Sequence, residues 1–252
     1  MCRLFAWHSA SPLNVKEALG SDFDTYTDLS SLHRDGWGMA YNAGDSLELI
    51  RDSAAANKSK IYEDATSNVK TENAIVHLRW ATEEISVCIP NTHPFIKQGP
   101  KGPVSFCHNG GVARGDALSS LIDPDLIAEL DGDTDSEQYF AAFLTQLRLH
   151  NNDIVAAYCE LVKNLDPIRY TSINALIMTE DELVIVCQHK PENRSPELEA
   201  DYYDLFWKTE NGTTTAWSSG VRAADKDVNE LKNGTLLHIN SKTGEVKVHE
   251  IR

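Results

Sequence analysis

The chain has 252 residues, 41% hydrophobic and 24% charged, which is ordinary for a soluble globular protein long enough to bury a sizeable core. Its 23 basic and 38 acidic side chains give a formal charge of -15. That argues against nucleic acid or an anionic membrane as a main partner, because neither binds a strongly acidic surface well.

The first apolar stretch, Leu4–Trp7, is broken at once by His8, Ser9 and Pro12, so no secretory signal is expected. No run approaches the roughly 18 apolar residues of a membrane-spanning helix. Strand-like patterns appear at Cys2–Trp7, Gly38–Tyr41, Leu47–Ile50, Ala74–Leu78 and Val104–Cys107. Apolar residues at helical spacing then predict helices over Ser136–Leu149 and Asn152–Leu165, with Asp135 standing where an N-cap belongs and Asp153 near the second start. Further strands are predicted at Asn174–Met178, Leu183–Cys187, Leu205–Lys208, Thr213–Ser218, Thr235–Ile239 and Val246–Ile251. The polar, proline-bearing segment Gln188–Asp204 reads as an exposed loop, and the turns Asn233-Gly234 and Thr243-Gly244 suggest a terminal hairpin covering the sheet. Strands, two adjacent helices, then many strands is not the alternation of a doubly wound sheet; sheets packed against helix pairs satisfy it. No repeat, long linker or low-complexity segment divides the chain, so one domain over residues 1–252 is expected. Five scattered cysteines include no C-x-x-C pair, and the last four, Cys88, Cys107, Cys159 and Cys187, read as buried reduced thiols of a cytoplasmic protein.

A cysteine directly behind the initiator methionine is the most informative single feature. Removal of Met1, usual ahead of a small second residue, would leave Cys2 carrying both a thiol and a free α-amine. Ordinary values near ~8.5 and ~8 put both groups close to neutral pH, a nucleophile and a proton acceptor on one residue. Taken alone, a cysteine at position two is more simply chance.

Four separated segments are dense in glycines and functional polar residues: His33-Arg34-Asp35-Gly36-Trp37-Gly38, His77-Leu78-Arg79-Trp80-Ala81-Thr82, Phe106-Cys107-His108-Asn109-Gly110-Gly111 and Gly132-Asp133-Thr134-Asp135-Ser136-Glu137. Each has a plain structural reading. Arg79 beside Trp80 could be a stacking arginine, Asp135 a helix cap, and Asn109-Gly110-Gly111 a turn after a strand.

Together with Cys2-Arg3-Leu4 and Asn91-Thr92-His93-Pro94, these segments follow one another as in the class II glutamine amidotransferases, and the chain resembles that family. The resemblance is strong over about the first 140 residues and general beyond, and the smaller stand-alone members match best. It implies an α+β fold, a four-layer αββα sandwich of N-terminal-nucleophile (Ntn) hydrolase type, with no metal or organic cofactor. It makes Cys2 the nucleophile on a side-chain amide, with its own amine as base. Asn109 and Gly110 would form the oxyanion hole. Arg79 would bind the α-carboxylate of glutamine, Asp135 its α-ammonium, and Thr82 would add a hydrogen bond. A guanidinium grips a carboxylate bidentately, and fixed donors stabilise the developing oxyanion, so physical chemistry suits each role.

Glu83 departs from the histidine that long multidomain members carry after R-W-A-T, which opens an N-acylated or γ-glutamyl compound as substrate beside free glutamine. His77, His93 and His108 could instead ligate zinc, but they lack helical ligand spacing and an accompanying acid or cysteine cluster. Three functions are expected to compete. One is a glutaminase subunit feeding ammonia to a separately encoded acceptor enzyme. The second is a self-sufficient hydrolase of γ-glutamyl amides or peptides, and the third a catalytically silent regulatory domain. Relatives associate as dimers, so a homodimer is also open.

Overall fold

The computed structural model describes residues 2–82, 85–222 and 227–251. The expectations placed on Met1 and Glu83 lie outside those residues. Among the described residues thirteen strands form two antiparallel sheets. In chain order they are β1 (Arg3–Leu13), β2 (Trp37–Asn42), β3 (Leu47–Asp52), β4 (Thr71–Leu78), β5 (Phe95–Gly99), β6 (Gly102–Val112), β7 (Tyr170–Met178), β8 (Glu182–Cys187), β9 (Leu205–Glu210), β10 (Thr213–Ser218), β11 (Asn229–Leu231), β12 (Thr235–Asn240) and β13 (Val246–Glu250). One sheet runs β11-β9-β10-β1-β4-β2-β3 and the other β13-β12-β8-β7-β6-β5. The helices are α1 (Val15–Leu19), α2 (Phe23–Asp28), α3 (Lys60–Asn68), α4 (Asp116–Ser119), α5 (Pro124–Ala128), α6 (Asp135–Leu149) and α7 (Ile154–Leu165).

Alternation along the strands builds the layers, since successive side chains leave a strand on opposite faces. In β1, Phe5 and Trp7 turn outward to α1, α2 and α3, packing with Val15, Tyr26 and Tyr62, whereas Leu4 and Ala6 turn inward. In β7, Ile173, Ala175 and Ile177 face α6 and α7, whereas Leu176 and Met178 face the opposite sheet. The inner layer mixes small and large residues, with Ala6, Ala40 and Cys107 beside Leu176, Ile185 and Leu237. The four-layer αββα sandwich follows from these two faces per sheet.

Several local expectations change. Thr134, not Asp135, caps α6, its hydroxyl accepting the Glu137 N–H at 3.1 Å, and Asp135 is the first helical residue. Asp153 caps α7, and Asn152 lies outside that helix with positive φ. Strand β6 runs on to Val112, so Asn109-Gly110-Gly111 is strand and not a turn. The Val104–Cys107 pattern misses this because the polar residues beyond it are buried in the site. Strands β5 and β11 and the five short helices α1 to α5 carried no clear periodicity. The final hairpin turns at Thr243-Gly244 and extends the second sheet at its edge instead of covering it, with β12 paired to β8. The Gln188–Asp204 segment is not simply exposed: Leu198, Tyr202 and Tyr203 are buried in a cluster with Trp80.

Candidate active site

Three neighbouring strands of the first sheet bring the site residues to one end. Register pairs Arg3 with Leu78 and Trp37 with Leu78, so Cys2, Gly36 and Arg79 emerge side by side. Backbone bonds fix this corner: Arg79 N–H donates to the Gly36 carbonyl at 2.8 Å and Asp35 N–H to the Arg79 carbonyl at 3.0 Å. Asp35 Oδ2 accepts the Ala81 N–H at 2.8 Å, fastening the segment after β4.

The opposite sheet supplies the other half through β6. Asn109 is fully buried, and its Oδ1 accepts the Cys2 backbone N–H at 3.0 Å. That assignment directs Nδ2 elsewhere, and Nδ2 is buried with no hydrogen-bond partner. A native protein rarely leaves such a donor empty, because the lost solvation costs about 1–3 kcal/mol. Gly110 has φ of 153°, and a Cβ there would run into the Ser172 carbonyl of β7, so only glycine fits this close pairing. The Cys2 sulfur is 3.9 Å from the Trp80 carbonyl, and Cys2 is 7% exposed.

Cys2, Arg79, Thr82, Gly110 and Asp135 share the wall of one narrow cleft, with room for about 30 Å³, and Asn109 reaches Cys2 from behind it. The six residues expected at the site are thus brought together. Arg79 is 3% exposed, and its guanidinium donates to the Asp35 and Ser86 carbonyls at 3.2 and 3.3 Å. Among the described residues it has no carboxylate partner, which keeps its charge available to a ligand. Asp135 uses Oδ2 to accept the Val112 N–H at 2.7 Å. Thr82 is exposed on the rim. Thr82, Ile85 and Asp135 also border an adjoining groove of about 330 Å³ that carries Arg114 and Arg169.

His93 and His108 line the cleft, and His77 packs against His93 with the two rings 4.5 Å apart. Burial pushes all three below the usual imidazole range, His77 to about 3, so they are neutral at neutral pH. His108 bridges Ser136 Oγ and the Ser172 carbonyl, each at 2.9 Å. Among the described residues no group of three or more histidine, cysteine or acidic side chains is placed to hold a metal ion.

Sequence reasoning missed several supports. Glu137 reaches back to the Asp131 and Gly132 N–H groups at 2.9 and 2.8 Å and pairs with buried Lys97 at 2.9 Å, holding the stretch before Asp135. The T-D-S-E run marked Glu137, yet nothing in sequence marked Lys97. Arg3 and Tyr202 also touch Cys2, and only Arg3 belonged to a recognised motif.

Comparison with known proteins follows the same lines. The family described as class-II glutamine amidotransferases matches residues 1–193. A Haemophilus influenzae protein carrying a provisional glutamine amidotransferase name is 33% identical over 150 residues, 59% of this chain and 48% of its own length. The chain therefore spans about half of that relative, and 39% of a Methanocaldococcus jannaschii relative that is 28% identical. A Silicibacter pomeroyi structure titled a glutamine aminotransferase class-II domain protein aligns over all of both chains with a TM-score of 0.67 and 18% identity. The Bacillus subtilis glutamine phosphoribosylpyrophosphate amidotransferase aligns over all of this chain and 49% of its own, with a TM-score of 0.63 and 16% identity. Those two likenesses establish a shared Ntn-hydrolase-type fold.

Proposed function

The chain belongs to the class-II glutamine amidotransferase family, and from that premise we propose that residues 1–252 act as one N-terminal-nucleophile amide hydrolase. In this reading loss of Met1 frees the Cys2 amine, which takes the thiol proton through water while Sγ attacks a γ-carboxamide carbon. The carbonyl oxygen becomes an oxyanion, received by Asn109 Nδ2 and the Gly110 N–H. Collapse breaks the carbon–nitrogen bond, the amine returns its proton to the leaving group, and ammonia or an amine departs. Water then attacks the γ-glutamyl thioester, releasing the acid and restoring the thiol. Arg79 holds the substrate α-carboxylate, Asp135 its α-ammonium and Thr82 adds a hydrogen bond on the rim.

The observation that supports this most is the orientation of Asn109. Its oxygen is occupied by Cys2 N–H, leaving a buried, empty donor within one amide group's width of the nucleophilic residue. A preorganised donor of this kind costs stability in the resting protein and is useful only when negative charge arrives.

The narrow cleft beside a groove of about 330 Å³ favours a γ-glutamyl amide with a larger leaving group as a second substrate reading. Delivery of ammonia to a separately encoded acceptor enzyme is the competing reading. The test uses purified protein whose intact mass shows the loss of one methionine, assayed on glutamine and on γ-glutamyl amides. Cys2→Ala abolishes cleavage of every amide that the parent cleaves. Unchanged cleavage removes Cys2 from the mechanism.

A further inference from the structure

Arg3 is a buried guanidinium without a carboxylate at ion-pairing distance among the described residues, 8% exposed and with its Nε lacking any hydrogen-bond partner. A cation is costly to bury in this way unless something nearby uses it. What lies nearby is Cys2. Arg3 Nη1 donates to the Cys2 carbonyl at 3.4 Å, and the guanidinium carbon sits 4.0 Å from the centre of the Tyr202 ring. Stacking of that kind fixes a planar cation whose bonding capacity is only partly used.

Tyr202 is tied in turn. His33 is held neutral by burial and by Arg3, and its Nδ1 lies 2.8 Å from the Leu29 carbonyl, so Nδ1 carries the hydrogen and Nε2 is the acceptor. The Tyr202 hydroxyl, 3.2 Å from that Nε2, donates to it and lies 3.4 Å from the Cys2 carbonyl. Tyr202 lies beyond residue 193, where the family match ends.

We propose that Tyr202 and Arg3 are positioning residues for the nucleophile: the Tyr202 ring carries the guanidinium, and His33 anchors the ring through its hydroxyl. Together they hold a fixed cation against the first residue of the mature chain. This rests on the reading of Cys2 as a terminal nucleophile. A terminal amine acts as base only when it has shed its proton, and an adjacent buried cation disfavours the protonated amine. The guanidinium reaches the Cys2 carbonyl at 3.4 Å, and two unit charges within a residue's length of each other in a partly buried setting change a protonation equilibrium by about tenfold. The other charged groups around Cys2 are Asp201, which acts on Arg3 at longer range, and Arg79 and Asp135 across the cleft. His33, His77, His93 and His108 are kept neutral by burial, and burial pushes the Tyr202 and Tyr203 phenols up, so none of these offsets the Arg3 charge near pH 7.

The experiment is the pH profile of kcat/KM for processed parent enzyme, Arg3→Met, Arg3→Lys and Tyr202→Leu, with a γ-glutamyl anilide as reporter. Arg3→Met moves the acid limb about one unit to higher pH, Tyr202→Leu reproduces most of that shift, and Arg3→Lys restores the parent limb to within about 0.3 unit. Coincident limbs for parent, Arg3→Met and Tyr202→Leu overturn the proposal. If Arg3→Met does not fold, the acid limb of kcat/KM for Tyr202→Leu against parent decides the matter by the same criterion. An unshifted limb with an inactive Cys2→Ala removes only the role of the cation. An active Cys2→Ala removes the nucleophile on which it rests.

Discussion

Replacing Asn109 by aspartate separates its two tasks. The carboxylate keeps an oxygen where Oδ1 now accepts the Cys2 N–H at 3.0 Å, and side-chain volume hardly changes. What is lost is Nδ2, the buried donor without a partner. Loss of one oxyanion donor typically costs about 2.7–4 kcal/mol, two to three decades in kcat. Aspartate puts an acceptor where negative charge develops, so the expected loss reaches at least the upper end, near a thousandfold, with the Gly110 N–H sustaining the remainder. KM changes little, because Arg79 and Asp135 are untouched. The assay is ammonia or amine release under saturating substrate, alongside thermal melting to show that the variant is folded. A folded Asn109→Asp enzyme within threefold of the parent kcat would refute the oxyanion role.

Two other predictions concern the scaffold. Glu137→Gln leaves Lys97, whose side chain is 7% exposed, without its ion-pair partner and weakens the hold on the stretch before Asp135. A loss of about 3–5 kcal/mol follows from stranding a buried charge, read as a lower urea midpoint with unchanged slope; a loss below about 1 kcal/mol would contradict it. The buried histidines make the fold acid-sensitive. His33 and His77 titrate near 3 when folded and near 6.5 when unfolded, so the unfolded chain takes up protons first as pH falls. Their stabilising contribution is complete above about pH 6.5 and is lost between there and about pH 3, some 2 kcal/mol each by pH 5. Urea titrations at pH 7 and 5 measure this, and equal midpoints would sink it.

How far the sequence revealed the molecule varied with the kind of residue. The helices over α6 and α7 were legible because apolar residues repeat at helical spacing, and the buried strands because β-branched and aromatic runs stand out. The candidate site residues stood out as short motifs, although β6 was truncated: Asn109 and Gly110 look like turn residues, and only pairing with β7 makes them strand. Short helices such as α1, opened by an Asn14–Glu17 capping box, are too brief for periodicity to register. The Gln188–Asp204 segment misled because its polar composition hides Leu198, Tyr202 and Tyr203, whose burial depends on Trp80 more than a hundred residues earlier. Lys97 gave no warning either, since a buried lysine is visible only once its acid partner is placed.

The bond from Cys2 N–H to Asn109 Oδ1 joins the two sheets, from the residue just ahead of β1 on one side to β6 on the other. In the proposed mechanism the attacking sulfur and the Asn109 donor are therefore spaced by the thickness of the apolar seam between the sheets, much as the jaws of a calliper are set by its screw. A methylene added to or removed from Leu4 or Leu176 in that seam, outside the cleft lining, is expected to reset the gap, so that turnover would gauge how well the two halves are seated.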